Sequence, residues 1–143
     1  MFVMVAQDTK SLLVVEDDAD VLDALEQVLT EEGYDVVTAR DGVVAMELLA
    51  RFPSRFCLII LDVFMPRLDG RQFLQRARTA LRATPVLLFS AGQLPPELLH
   101  DPSVVGVIPK PVEVTFLLET IAAHCPLESA SRPTASVGGG RWP

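Results

Sequence analysis

The sequence predicts an α/β domain: an open, doubly wound parallel sheet of five strands with helices on both faces. Three observations carry that prediction. Short apolar runs alternate with helical stripes five times along the chain, the pattern of repeated β-α units. The runs are nearly continuous rather than alternating, as in strands covered on both faces. Two of them end in carboxylates: Leu12-Leu13-Val14-Val15 runs into Glu16-Asp17-Asp18, and Leu58-Ile59-Ile60-Leu61 runs into Asp62. Parallel sheets of this kind bind ligands beyond the strands' carboxyl ends, so both acid clusters fall where a site belongs.

The elements follow in order. Residues 12–15 read as the first strand. Val21, Leu22, Leu25, Val28 and Leu29 recur at helical spacing, and Gly33 is a stop signal. Residues 35–39, with Val36, Val37 and Thr38, give the second strand. Asp41-Gly42 opens a helix carrying Val44, Ala45, Leu48 and Leu49, which ends before Pro53. Residues 57–61 form the third strand. Phe73, Leu74, Ala77 and Leu81 give one helical stripe. Residues 85–89 and 104–108 are the fourth and fifth strands, and Val114, Leu117, Leu118 and Ile121 mark the last helix. Between strands four and five, Pro95-Pro96-Glu97-Leu98-Leu99-His100-Asp101-Pro102 leaves room for one or two turns. Proline starts a helix readily but stops one at its end, so this helix is expected to be short and irregular.

With 143 residues, the chain fits one domain. Half of it is hydrophobic, enough for a core. A net charge of -7 without a Lys/Arg cluster argues against nucleic acid and against an anionic membrane surface. No apolar run reaches the roughly 20 residues of a membrane span. Residues 1–9 read as a leader, 10–125 as the domain, and 126–143, with Gly138-Gly139-Gly140 and little to bury, as a flexible tail. The start is apolar but lacks a basic segment and a cleavage-like site, so it does not read as a signal peptide. Cys57 and Cys125 have no metal-ligand spacing; reduced core or edge thiols are expected, fitting a cytosolic protein.

The acids carry the chemistry. Side by side in a parallel sheet, strands one and three would bring three or four carboxylates to one edge, where like charges raise one another's pKa. A hard divalent cation relieves that, and an all-oxygen set suits magnesium. Asp18 directly precedes a helical stripe and reads as an N-cap; Asp69-Gly70 reads as a turn and helix start. Ser90 and Lys110 follow strands four and five at the same edge. Alone, one is a loop hydroxyl and the other a solvated lysine. Together with the acids they form a candidate phosphoryl site.

Over residues 10–124 the chain resembles the receiver domains of two-component response regulators, in a stand-alone, chemotaxis-regulator-like form. The matching signatures are Val14-Val15-Glu16-Asp17, then Asp62 with Met65-Pro66 and Asp69-Gly70, then Ser90-Ala91, then Lys110-Pro111. Ala39-Arg40-Asp41-Gly42 and Ala45 fit the family's second helix start. The resemblance implies a flavodoxin-like sheet of strand order 2-1-3-4-5. It implies Asp62 as phospho-acceptor, with Ser90 and Lys110 contacting the phosphoryl group. Magnesium would be held by Asp17, Asp62 and the backbone carbonyl of Phe64, with Glu16 acting through a water. It implies a cis Lys110-Pro111 bond, a histidine kinase or histidine phosphotransfer protein as donor, an unspecified downstream protein partner and a cytoplasmic location. Monomer and homodimer stay open, and the domain is an acceptor rather than a turnover enzyme.

The chain departs from the family in one region, at strand five and in the short helix before it. Where the family carries Tyr or Phe in strand five, Val107 stands here, and valine cannot swing a ring between buried and exposed states. Together with the short Pro-bounded helix, this motivates a second reading: an interaction module with little phosphate-dependent output. A magnesium-dependent aspartyl phosphohydrolase ranks low, because such enzymes place a second Asp where Phe64 stands. Phe64 and Gly92 flank the expected path of hydrolytic water.

Overall fold

A computed structural model describes residues 10–65, 68–81 and 83–127. The expected leader, residues 1–9, lies outside the described residues, and so do residues 128–143 of the expected tail. The five strands are β1 (Ser11–Val15), β2 (Val36–Ala39), β3 (Phe56–Asp62), β4 (Val86–Ser90) and β5 (Val104–Pro109). The helices are α1 (Ala19–Glu32), α2 (Gly42–Arg51), α3 (Gly70–Arg76), α4 (Arg78–Leu81), α5 (Pro96–Leu99) and α6 (Val114–His124). All strand pairs are parallel, in the order β2-β1-β3-β4-β5.

Side chains alternate across a strand, and the apolar runs therefore feed two cores. Leu13, Val15, Ile59, Leu61 and Leu88 pack with Ala45 and Leu49 of α2, Phe73 and Leu74 of α3, and Leu81 of α4. On the other face, Leu12, Val14, Leu58, Ile60, Leu87 and Phe89 pack with Leu25 and Leu29 of α1 and Leu117 and Ile121 of α6. Asp18 caps α1 as expected: its side chain accepts the N–H groups of Asp20 and Val21. Gly33 ends α1 at φ 111, a conformation that costs glycine little.

The helix between β4 and β5 is a single turn starting at Pro96, as its prolines implied. The single stripe through Phe73, Leu74, Ala77 and Leu81 is two helices rather than one. α3 ends at Ala77, whose backbone (φ -90, ψ 3) leaves helical geometry, and α4 restarts at Arg78. Burial at Phe73, Ala77 and Leu81 survives the break, so apolar spacing alone does not reveal it.

The cysteines correct an expectation. Cys57 and Cys125 are not free thiols but a disulfide, with Cα atoms 5.8 Å apart. β3 points Cys57 toward the face that carries α6, and the end of α6 brings Cys125 onto it. The compartment argument drawn from reduced thiols falls with that pairing.

Candidate functional site

Strand register builds the site. Val15 pairs with Leu61, Asp62 with Phe89, and Ser90 with Pro109. Glu16 and Asp62 therefore leave adjacent strands at one level, Ser90 follows one step beyond Phe89, and Lys110 follows Pro109. The backbone seals this edge, since the Lys110 N–H donates to the Ser90 carbonyl at 2.9 Å. The Lys110-Pro111 peptide is cis, as the resemblance implied.

Three carboxylates meet there. Oxygens of Glu16, Asp17 and Asp62 lie within 4.8 Å of one another. Glu16 and Asp62 are 1% and 2% exposed, while Asp17 faces solvent. The Lys110 ammonium bridges the two buried acids, 3.2 Å from Glu16 Oε1 and 3.4 Å from Asp62 Oδ1. Its Nζ also sits 4.6 Å from the centroid of the Phe89 ring, a cation–π contact. Glu16 Oε2 accepts the Asp18 N–H at 3.0 Å, whereas the buried Oε1 takes no hydrogen bond among the described residues and has Lys110 as its ion-pair neighbour.

The electrostatics follow from this crowding. Burial, then the hydrogen bond and charge of Glu16, push the Asp62 carboxyl up to about 7, against the opposing pull of Lys110 and the Phe64 N–H. Burial works against the Lys110 ammonium, but Asp62 and Glu16 outweigh it and hold that group above the usual lysine range. Three carboxylates share one ammonium here, and an all-oxygen cluster in which the buried Glu16 Oε1 has an ion-pair neighbour but no hydrogen bond among the described residues fits a hard divalent cation.

The loop after Asp62 is held by close backbone approach. The Gly70 N–H donates to the Val63 carbonyl at 2.8 Å. A Cβ on Gly70 would stand 2.9 Å from Val63 Cα, so a side chain there would displace the residue beside Asp62. Asp69 caps α3 in a reciprocal capping box with Gln72, matching its reading as a helix start. Phe64 is 57% exposed, and its N–H donates to Asp62 Oδ1 at 3.2 Å. Met65 is buried; Pro66 of the Met-Pro signature lies outside the described residues.

Ser90 is 3% exposed. Its hydroxyl donates to the Gly92 carbonyl at 3.3 Å and accepts the Gly92 N–H at 3.2 Å. Among the described residues, no atom beyond its chain neighbours lies within 4 Å of a Cβ built on Gly92, so the space beside Ser90's partner is open. Val107 pairs with Leu88 and is partly buried against the core that includes α2 and α3. Sequence reasoning placed Lys110 at this edge but not its simultaneous reach to both buried acids. Nor did it find the ring of Phe89 beneath the ammonium; the position of Phe89 before Ser90 was the available signal.

The comparisons agree with this geometry. Residues 12–122 match the family model described as the response regulator receiver domain. The response regulator MprA of Mycobacterium leprae is 36% identical over 114 residues, which cover 78% of this chain and 49% of that protein. The chain thus spans about half the length of the curated relatives it matches. Among solved structures, the receiver domain from the hybrid histidine kinase CckA superposes with a TM-score of 0.70 at 30% identity, covering 80% of this chain and 98% of that one. The Vibrio cholerae chemotaxis protein CheY4 gives 0.71 at 28% identity, covering 81% and 98%.

Proposed function

The chain belongs to the response regulator receiver domain family, and from that premise we propose that Asp62 accepts a phosphoryl group from a histidine kinase or histidine phosphotransfer protein. A carboxylate oxygen of Asp62 attacks phosphorus in line, the bond to the donor imidazole breaks, and an acyl phosphate forms. Lys110, already 3.4 Å from Asp62, favours the ionised nucleophile and then pairs with the phosphoryl charge. The Ser90 hydroxyl turns from Gly92 to a phosphoryl oxygen. Asp17, Asp62 and the Phe64 carbonyl would hold magnesium, with Glu16 acting through a water. The ion supplies neutralisation of the charge that develops on the transferring group. The single observation that carries this reading is the Lys110 bridge to Glu16 and Asp62 in a buried cluster of three acids.

The reading makes residues 10–125 a signalling unit that is switched rather than a turnover enzyme. The acceptor change is a local charge event that alters affinity for a downstream protein. Among the described residues no helix is long and apolar enough to cross a membrane, and a kinase-fed domain of this type would work in the cytoplasm. Incubation with magnesium and a small phosphodonor should add one phosphoryl group to wild type and none to Asp62→Asn. A wild type that stays unlabelled would reject the assignment.

Val107 and the one-turn α5 favour a second reading, in which the site accepts phosphate but partner binding responds weakly. Equal partner affinity before and after labelling supports it; a large affinity change excludes it.

A further inference from the structure

We propose that Cys57 and Cys125 form a reversible redox latch, a thiol–disulfide exchange site opened by a dithiol reductant and closed by a disulfide oxidant. The residues are 68 positions apart, yet their Cα atoms stand 5.8 Å apart, within bridging range. Cys57 lies near the start of β3, whose last residue is Asp62. Cys125 is the C-cap of α6, the helix that follows Lys110-Pro111 and Val112-Glu113. One covalent bond therefore joins the strand that carries the acceptor acid to the helix that follows the lysine.

Cys57 is half-buried and borders a cleft. This cleft of about 320 Å³, lined by Lys10, Ser54, Phe56, Cys57, Thr84 and Pro85, opens at the strands' amino ends, away from the acids. Cys125 is 9% exposed and packs in the core shared with Leu29 and Ile121. Exchange accordingly begins at Cys57. A reductant thiolate attacks its sulfur, the disulfide breaks, and Cys125 leaves as a thiolate that takes a proton. The reductant's second thiol then attacks the mixed disulfide and releases Cys57. Two electrons and two protons pass from the dithiol to the pair.

Opening the latch removes the covalent tie at the end of α6 and leaves that end to the packing of Leu117, Ile121 and their neighbours in the core. That helix is also one wall of an apolar groove of about 440 Å³ between α1 and α6, lined by Val21, Leu25, Val114 and Leu117 and by Lys110. In a reducing compartment disulfides are transient and redox-sensing, which is the role the latch has under the cytoplasmic location proposed above. The phosphoryl-acceptor role of Asp62 is not needed for it.

The test uses the full chain, equilibrated with glutathione disulfide or with dithiothreitol, and reads thiol alkylation and hydrogen exchange by mass spectrometry. The oxidised chain should resist alkylation at both cysteines and gain the mass of two hydrogens on reduction. Reduction should speed amide exchange in residues 121–125 by about tenfold or more and shift the global unfolding equilibrium by about a thousandfold, as expected for a loop of this length. Cys57→Ser and Cys125→Ser should match the amide exchange of the reduced chain in dithiothreitol, and neither should form an intramolecular disulfide in glutathione disulfide. The reduced wild type carries the comparison if a variant fails to fold. Two alkylated thiols in the oxidised sample, or unchanged exchange in residues 121–125, would overturn the latch. Neither readout involves phosphate, so a failure of Asp62 to accept it leaves this outcome separate.

Discussion

The metal-free protein should lose stability as pH rises through the range where Asp62 ionises, and Asp62→Asn should abolish that loss. Folding raises the Asp62 pKa from 3.8 to about 7. The folded state therefore binds this proton more tightly than the unfolded chain does. The resulting stabilisation is fully present below the unfolded pKa and disappears as pH climbs through the folded one. A shift of about three units corresponds to about 4 kcal/mol. Asparagine takes up no proton and carries no charge beside Glu16. In chelator, urea unfolding at a series of pH values should show variant and wild type nearly equal near pH 4. The gap should widen by about 1.4 kcal/mol per pH unit and level off at about 4 kcal/mol above pH 7. Millimolar magnesium should close it by compensating the ionised acid. A difference between the two proteins that does not vary with pH would refute the claim that burial and Glu16 raise the Asp62 pKa.

Three further outcomes follow from the geometry. Asp17→Ala should weaken magnesium binding by tenfold or more, about 1.4 kcal/mol, while Asp18→Ala should leave it unchanged and cost about 1 kcal/mol of stability as a lost helix cap; titration calorimetry and urea melts separate the two acids. Gly70→Ala should destabilise the fold by about 1–3 kcal/mol and slow labelling, because the added Cβ meets the Val63 backbone at 2.9 Å; a melt identical to wild type would contradict that close approach. Phe64→Asn should change the lifetime of the acyl phosphate, measured by loss of label after donor removal, because Phe64 is the exposed residue two positions past Asp62 and its N–H already contacts that carboxylate; an unaltered lifetime rejects the shielding role.

The strand order and the shared sheet edge were legible along with the local signals; specific contacts between side chains far apart in sequence were not. The four strand-end positions were readable because a buried parallel strand is a short apolar run, and the first polar residue after it marks the carboxyl edge. Asp18 and Asp69 were readable as caps because capping is decided within three residues, by a side chain and the N–H groups just beyond it. The prolines around α5 limited it to one turn for an equally local reason. Three features depended on tertiary placement. The break at Ala77 leaves the apolar spacing of Phe73 and Leu81 intact, so periodicity runs through it. The Cys57–Cys125 pairing joins residues 68 positions apart, which no local pattern encodes. The Lys110 bridge depends on the order β1-β3-β4-β5, which lets one side chain reach acids leaving two neighbouring strands.

The central claim is that Asp62 itself forms the acyl phosphate. The direct measurement is to label the intact chain with a small phosphodonor and magnesium, trap the product with borohydride, and map the peptides by mass spectrometry. Borohydride reduces an aspartyl phosphate to homoserine. The account predicts homoserine at position 62 and unmodified Asp17, Asp18 and Asp69. Homoserine at another acid with Asp62 intact, or a stable phosphate on Ser90, would contradict it.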